Sequence, residues 1–242
     1  MIFAEADSYV SEHGALSDHS RDPFLQAGIG QAGGGPVELW SYIRFDLSGI
    51  QQSSLFIHVE VESAELRLLA QTIIFHDKVF STVSYCADDS WQEVIQWHDR
   101  PCQTSLEGQD STVIELPGLP RIYDWNLTRS VASARRVGSL KTSLVVTAFP
   151  LYPSRKAGKP LGEIGPPLPS DPRGFVRFWS REREEFGVGA VPTLVVVTSA
   201  SPTPLHVSLT SSVPALASLL ALVSGLYLVY RGLGKLRRKS ST

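Results

Sequence analysis

Six side chains in this sequence have types and spacing that could make a ligand surface. Trp40, Tyr42 and Arg44 fall on every second residue of one segment, and Arg177, Trp179 and Arg181 do so in another. Flat aromatic rings pack on the C–H patches of a pyranose, while a guanidinium holds a carboxylate by two parallel hydrogen bonds, which lysine cannot do. If the two segments adjoin, they make one aromatic and basic face. The same residues also have a plainer use, because Arg44 with Asp46 and Arg181 with Glu182 would form structural ion pairs.

Other chemistries find less support. Asp88 and Asp89 are adjacent, and neighbours on one strand point to opposite faces, so they do not offer the facing carboxyls of glycoside hydrolysis. No Walker lysine, HExxH or GxSxG occurs, and no enzymatic activity is expected. Gly28, Gly30 and Gly33 satisfy GxGxxG, yet Pro36 and a strand-like run follow where a dinucleotide site needs a helix, so they read as loop glycines. His13, Asp18, His19 and Asp22 carry ligand atoms for a divalent cation but lack fixed ligand spacing, and they read as solvated loop residues. No cofactor is therefore expected, with calcium the ion that a sugar-binding sandwich could hold. Cys86 and Cys102 have no partner motif for zinc; they either pair in an oxidising compartment or stay as buried thiols. Asn126-Leu127-Thr128 holds the only asparagine and fits a glycosylation acceptor if the segment is exported, although Thr128 equally serves as a turn or helix-cap residue.

These residues need strands to position them. Over 40–47, Ser41, Ile43, Phe45 and Leu47 alternate with Trp40, Tyr42, Arg44 and Asp46, the period of a half-buried strand. Over 64–69, Ala64, Leu66 and Leu68 turn inward and Glu65 and Arg67 outward. The runs 143–148, 175–180 and 193–198 are β-branched or aromatic, and Gly/Pro turns at 33–36, 118–120 and 187–189 separate such segments. Helix-like stretches are few in this part of the chain, and 127–136 is the best of them. Many short strands with intervening loops predict an all-β head, a sandwich or jelly roll. The segment 149–174 carries seven prolines and reads as a surface insertion or a flap beside a binding face.

The C-terminal residues predict a membrane anchor. Residues 213–230 form an uncharged apolar run that reaches roughly 27 Å as a helix, close to the hydrocarbon thickness of about 30 Å. Arg231, Lys235, Arg237, Arg238 and Lys239 follow without an acid, which favours a cytoplasmic tail over 231–242. Residues 199–212 are rich in Ser, Thr and Pro and read as a stalk. Removing the five tail cations leaves 17 Lys and Arg against 24 Asp and Glu, a head charge of −7. That balance argues against a nucleic-acid partner, which needs a basic footprint. The first ten residues lack the basic and apolar regions of a secretory signal. An upstream start, an unusual export route or a cytosolic head would each accommodate this, and the tail charges favour the head outside.

Five blocks together are similar to the DNRLRE domain, which overlaps carbohydrate-binding module family 96 and the disaggregatase-related domains. They are ADSYV at 6–10, IRFDLSGI at 43–50, SAELRL at 63–68, DDSWQEVIQWHDRP at 88–101, and FVRFWSRE at 175–182 followed by PTLVVV at 192–197. WNLTRSV at 125–131 resembles a further segment of that family. The resemblance spans 4–198 and implies a jelly-roll β-sandwich that binds sugar polymer, acidic polysaccharide among its ligands. His98-Asp99 and the proline-rich insertion depart from the family pattern and leave the sugar open. Within the central block, Asp88 and Asp89 read as turn caps, and Trp91, Trp97, Arg100 and Pro101 as structural residues at the core edge.

The expectation is thus a single-pass protein of the cell membrane. Its head, residues 1–198, would face outward and bind polysaccharide or surface glycan through Trp40, Tyr42, Arg44, Arg177, Trp179 and Arg181, while 213–230 meets the bilayer. The alternative is a structural envelope or cell–cell matrix protein whose heads self-associate.

Overall fold

Alternation of apolar and polar residues in the sequence becomes long strands in three dimensions. A computed structural model describes residues 1–12, 18–54, 57–103, 107–151, 173–182 and 191–202. The described residues are mostly strand, and the head is all-β. The strands are β1 (Ile2–Ser11), β2 (Phe24–Ala32), β3 (Gly35–Asp46), β4 (Ile57–Ile74), β5 (Lys78–Cys86), β6 (Glu107–Glu115) and β7 (Arg121–Asn126). The helix α1 (Thr128–Arg136) follows, then β8 (Lys141–Pro150), β9 (Gly174–Trp179) and β10 (Thr193–Pro202).

The strands close on themselves. β1 pairs with β3 and β10, β10 with β4, β4 with β9, β9 with β2, and β2 with β3, which completes a ring of six. β3 is the branch point. β1 runs along one of its edges, while β2 pairs over Gly35 to Leu39 and β8 over Ser41 to Asp46 on the other. β5 and β6 extend the sheet beyond β8, and β7 adds to β4. Closure leaves few strand edges open to unwanted pairing.

Gly28 explains how β2 fits between β3 and β9. Its φ is +133°, and an added Cβ would lie 2.4 Å from the Gly174 oxygen, so only glycine is tolerated there. Gly28 and Gly30 belong to a strand and Gly33 to the hairpin turn that follows; the expectation of loop glycines is corrected at the first two.

Ile43, Phe45, Leu66, Leu68, Trp125 and Phe178 are almost fully buried in the main core, with α1 supplying Val131 and Ala134. Each such side chain contributes about 1.5–3 kcal/mol by leaving water. The inward assignments over 40–47 and 64–69 therefore match. The helix also forms, and its N-cap residue, Leu127, offers no side-chain cap. Thr128 is its first residue, and its hydroxyl accepts the Ala64 N–H at 3.1 Å.

The chain divides into two units, Met1–Ser201 and Pro202–Thr242. β10 continues to Pro202, so 199–202 are strand rather than the start of a stalk. The remainder of the stalk, the apolar run 213–230 and the tail lie outside the described residues, as does the proline-rich segment between 152 and 172. Among the described residues no helix is long and apolar enough to cross a membrane.

Candidate functional site

The two expected stripes do not merge into one face. β2 lies between β3 and β9, and the first stripe is covered. Residues 87–103 fold over Ala6, Val10, Tyr42 and Val145, bringing Trp91, Ile95 and Trp97 into a second apolar cluster. A disulfide joins Cys86 to Cys102, with Cα atoms 5.6 Å apart, and closes this covering segment at its two ends.

Every member of the first stripe serves that cover. Tyr42 has no exposed surface and donates its hydroxyl to the Pro101 carbonyl at 3.0 Å. Burial pushes the Tyr42 phenol pKa above its ordinary range. Arg44 pairs with Glu5 rather than with Asp46, donates to the carbonyls of Trp91 and Asp89, and lies over the Trp91 ring. Trp40 is half-buried, edge-on to Trp97, and Arg100 stacks on both rings. Trp91 donates its indole N–H to the Ser143 hydroxyl at 2.9 Å, and Asp88 accepts the Ser90 N–H at 2.9 Å. Trp40, Tyr42 and Arg44 hold the cover down, and they are not an open ligand face.

Arg181 is likewise engaged. It reaches the Glu5 carbonyl, pairs with Glu93, and lies 3.4 Å from Glu182, while its backbone N–H donates to Asp7 at 2.8 Å. The structure thus contains the Arg181–Glu182 pair and adds a stronger link to the covering segment. Asp7 is buried beneath it. Desolvation is the main cause that raises its pKa to about 7, partly opposed by the Arg181 N–H and charge. For Glu5, burial acts upward but is outweighed by hydrogen bonds from Lys141 and Arg44, which hold the carboxyl below its usual value.

Arg177 has a different setting. It lines an open groove of about 550 Å³ where β1, β2, β3 and β9 meet, together with Tyr9, His19, Gln26, Phe75 and Phe175. Its guanidinium lies 5.6 Å from the Phe175 ring centre and 5.9 Å from that of Phe24. Among the described residues it makes no ion pair, and its Nε has no hydrogen-bond partner. Register places Arg177 beside Gln26, and Trp179 beside Phe24. Trp179 is half-buried on the same strand, two residues along from Arg177.

The groove walls are firmly held. His19 stacks on Tyr9 with ring centres 3.9 Å apart and hydrogen-bonds Asp22 through Nδ1 at 2.8 Å. Desolvation, followed by the neighbouring Asp22 carboxylate, pushes the Tyr9 phenol pKa above its ordinary range. Phe75 is half exposed at a φ of +72°, unusual for a side-chain-bearing residue, and Arg173 stacks on its ring at 4.5 Å. Such backbone outliers concentrate at functional sites.

The cation loop that the sequence offered as a candidate is not assembled among the described residues. Asp18 accepts the Ser20 N–H, and Asp22 is paired with His19. His13 lies outside the described residues, and among those described no group of three or more His, Cys, Asp or Glu residues could hold a metal.

Of the residues that the sequence singled out for binding, Arg177 lines the groove and Trp179 does not, and Tyr9, His19, Gln26, Phe75 and Phe175 were missed as neighbours of Arg177. Phe175 was within reach, since it shares the alternation of Arg177 and Trp179. Tyr9, His19 and Phe75 come from distant segments, and only the ring closure brings them together. No protein-family model matches the chain, and no curated protein matches it.

Proposed function

We propose that the head is a non-catalytic carbohydrate-binding module, a jelly-roll β-sandwich of the DNRLRE type, held at the cell surface by the 213–230 span. The observation that carries this reading is the groove around Arg177. It offers a cation without an ion pair among the described residues, aromatic rings on its walls, and the Gln26 amide, the combination expected of a site for acidic sugar. The Cys86–Cys102 disulfide supports an oxidising, exported location, as does the basic tail. Many copies on one membrane would raise a weak single-site affinity. Retention of the full-length chain in detergent on immobilised acidic and neutral polysaccharides tests the reading. Retention that Arg177→Gln lowers by about tenfold, the effect of losing roughly 1.4 kcal/mol, supports it. Absence of retention on every polymer would sink it.

One observation favours the structural alternative. Val113, Phe80 and Phe149 are register neighbours across β6, β5 and β8, and each is 38–52% exposed. An exposed apolar row of this kind suits association between heads. Concentration-dependent light scattering of the same preparation, abolished by Phe80→Glu, would favour that reading.

A further inference from the structure

We propose that Asn126 is the attachment site of an N-linked glycan. The inference rests on the export part of the preceding reading, not on the sugar-binding part. Asn126 ends β7 as an exposed residue, while Trp125 and Leu127 on either side are fully buried. Its side-chain carbonyl accepts the Thr128 N–H at 3.0 Å, and its backbone N–H donates to Asp110 at 2.7 Å. These two bonds fix the residue and leave the amide nitrogen Nδ2 without a partner among the described residues. Asp124 and Glu65 beside it are also about half exposed, so a bulky group there meets solvent rather than packed chain.

Thr128 supplies the third position of the acceptor sequence. Its Oγ1 accepts the Ala64 N–H, so the hydroxyl hydrogen stays available to donate. The group transfer requires a sugar donor activated as a lipid-linked diphosphate. Nδ2 attacks C1 of the sugar and the C1–N bond forms. The C1–O bond to the diphosphate breaks with its electron pair leaving on phosphate, and a proton from Nδ2 passes to solvent base. The disulfide between Cys86 and Cys102 is independent support for the compartment in which such donors act.

Among the described residues β7 pairs with β4 and lies off the closed ring, and the Asn126 N–H and Tyr123 hydroxyl tie it to Asp110 and Glu115 of β6.

The test uses the full-length chain purified from the membranes of its own cells. The peptide containing Asn126 is mapped by mass spectrometry before and after an amidase that releases N-glycans and converts the asparagine to aspartate. Sugar mass on wild type and on Thr128→Ser, lost in Thr128→Val and Asn126→Gln, is the expected pattern. Protease accessibility of the head on intact cells is read in parallel. A bare Asn126 on an accessible, disulfide-bonded head overturns the glycan and leaves export standing. A bare Asn126 on a fully protected head overturns both.

Discussion

Two aromatic and basic clusters in this head use the same residue types in opposite ways. Under the 87–103 cover, Arg44 is bonded to Glu5 and to backbone carbonyls, Arg100 lies against Trp40 and Trp97, and Tyr42 has no exposed surface. In the groove, Arg177 lies between rings with no ion pair among the described residues, and Phe75 stands half exposed on a left-handed backbone. Composition alone does not separate a sugar-binding surface from a structural clamp. What separates them is whether the guanidinium already bonds carboxylates or backbone carbonyls within the protein, as Arg44, Arg100 and Arg181 do; a bare Nε does not separate them, since Arg100 has one too. The cover is therefore read as stability and the groove as recognition.

The largest effects should fall on the covered side. Trp91→Ala removes a buried ring and leaves the Ser143 hydroxyl unmatched, which should cost about 3–5 kcal/mol in a denaturant titration. Polymer retention per folded molecule should not change. Next comes replacement of both Cys86 and Cys102 by Ser. It frees the ends of a short loop and should cost about 3 kcal/mol, read as a lowered thermal midpoint. If either change abolished binding in molecules that remain folded, the division between cover and groove would be wrong.

Asp7 sharpens the comparison through pH. Its pKa rises from an unfolded value of about 4 to about 7, so the folded state holds the proton more tightly. Its contribution to stability is fully present below pH 4 and is lost as pH rises through 7, a change on the order of a few kcal/mol. Asp7→Asn, which keeps an acceptor for the Arg181 N–H, should flatten the stability curve between pH 4 and 7. An unchanged slope would mean that burial of Asp7 is not what tunes this region.

Phe75→Gly should have the smallest effect on stability. Relief of a left-handed backbone is worth about 1 kcal/mol and offsets the lost contacts with Phe175 and Arg173. The thermal midpoint should barely move while polymer retention falls. A large loss of stability without loss of retention would make Phe75 a packing residue.

Much of the main core was legible because a period of two is hard to mimic. Ile43, Phe45, Leu66 and Leu68 lie where the alternation puts them. The same period assigns Tyr42 and Arg44 to the opposite face but does not reveal what covers that face. The cover comes from a loop forty to sixty residues onward. Its capping acid Asp88 and its two tryptophans were readable as structural elements, whereas their seat on β3 was not. Gly28 read as a loop residue because the run after Pro36 ruled out a dinucleotide site, whereas the close approach of Gly174 explains a glycine within the strand. The groove was the least legible element. Arg177 declared itself by type, but Tyr9 and His19 reach it only because β1, β2, β3 and β9 meet within the closed ring.

The central claim is that the open groove, and not the covered cluster, recognises acidic sugar. Affinity electrophoresis of the full-length protein through a gel containing acidic polysaccharide tests it directly, comparing wild type with Arg177→Gln at matched thermal midpoints. Retardation of wild type that the variant loses by about tenfold, and that weakens as salt rises, is the predicted result. Equal retardation of both proteins would contradict the account and move recognition away from the groove.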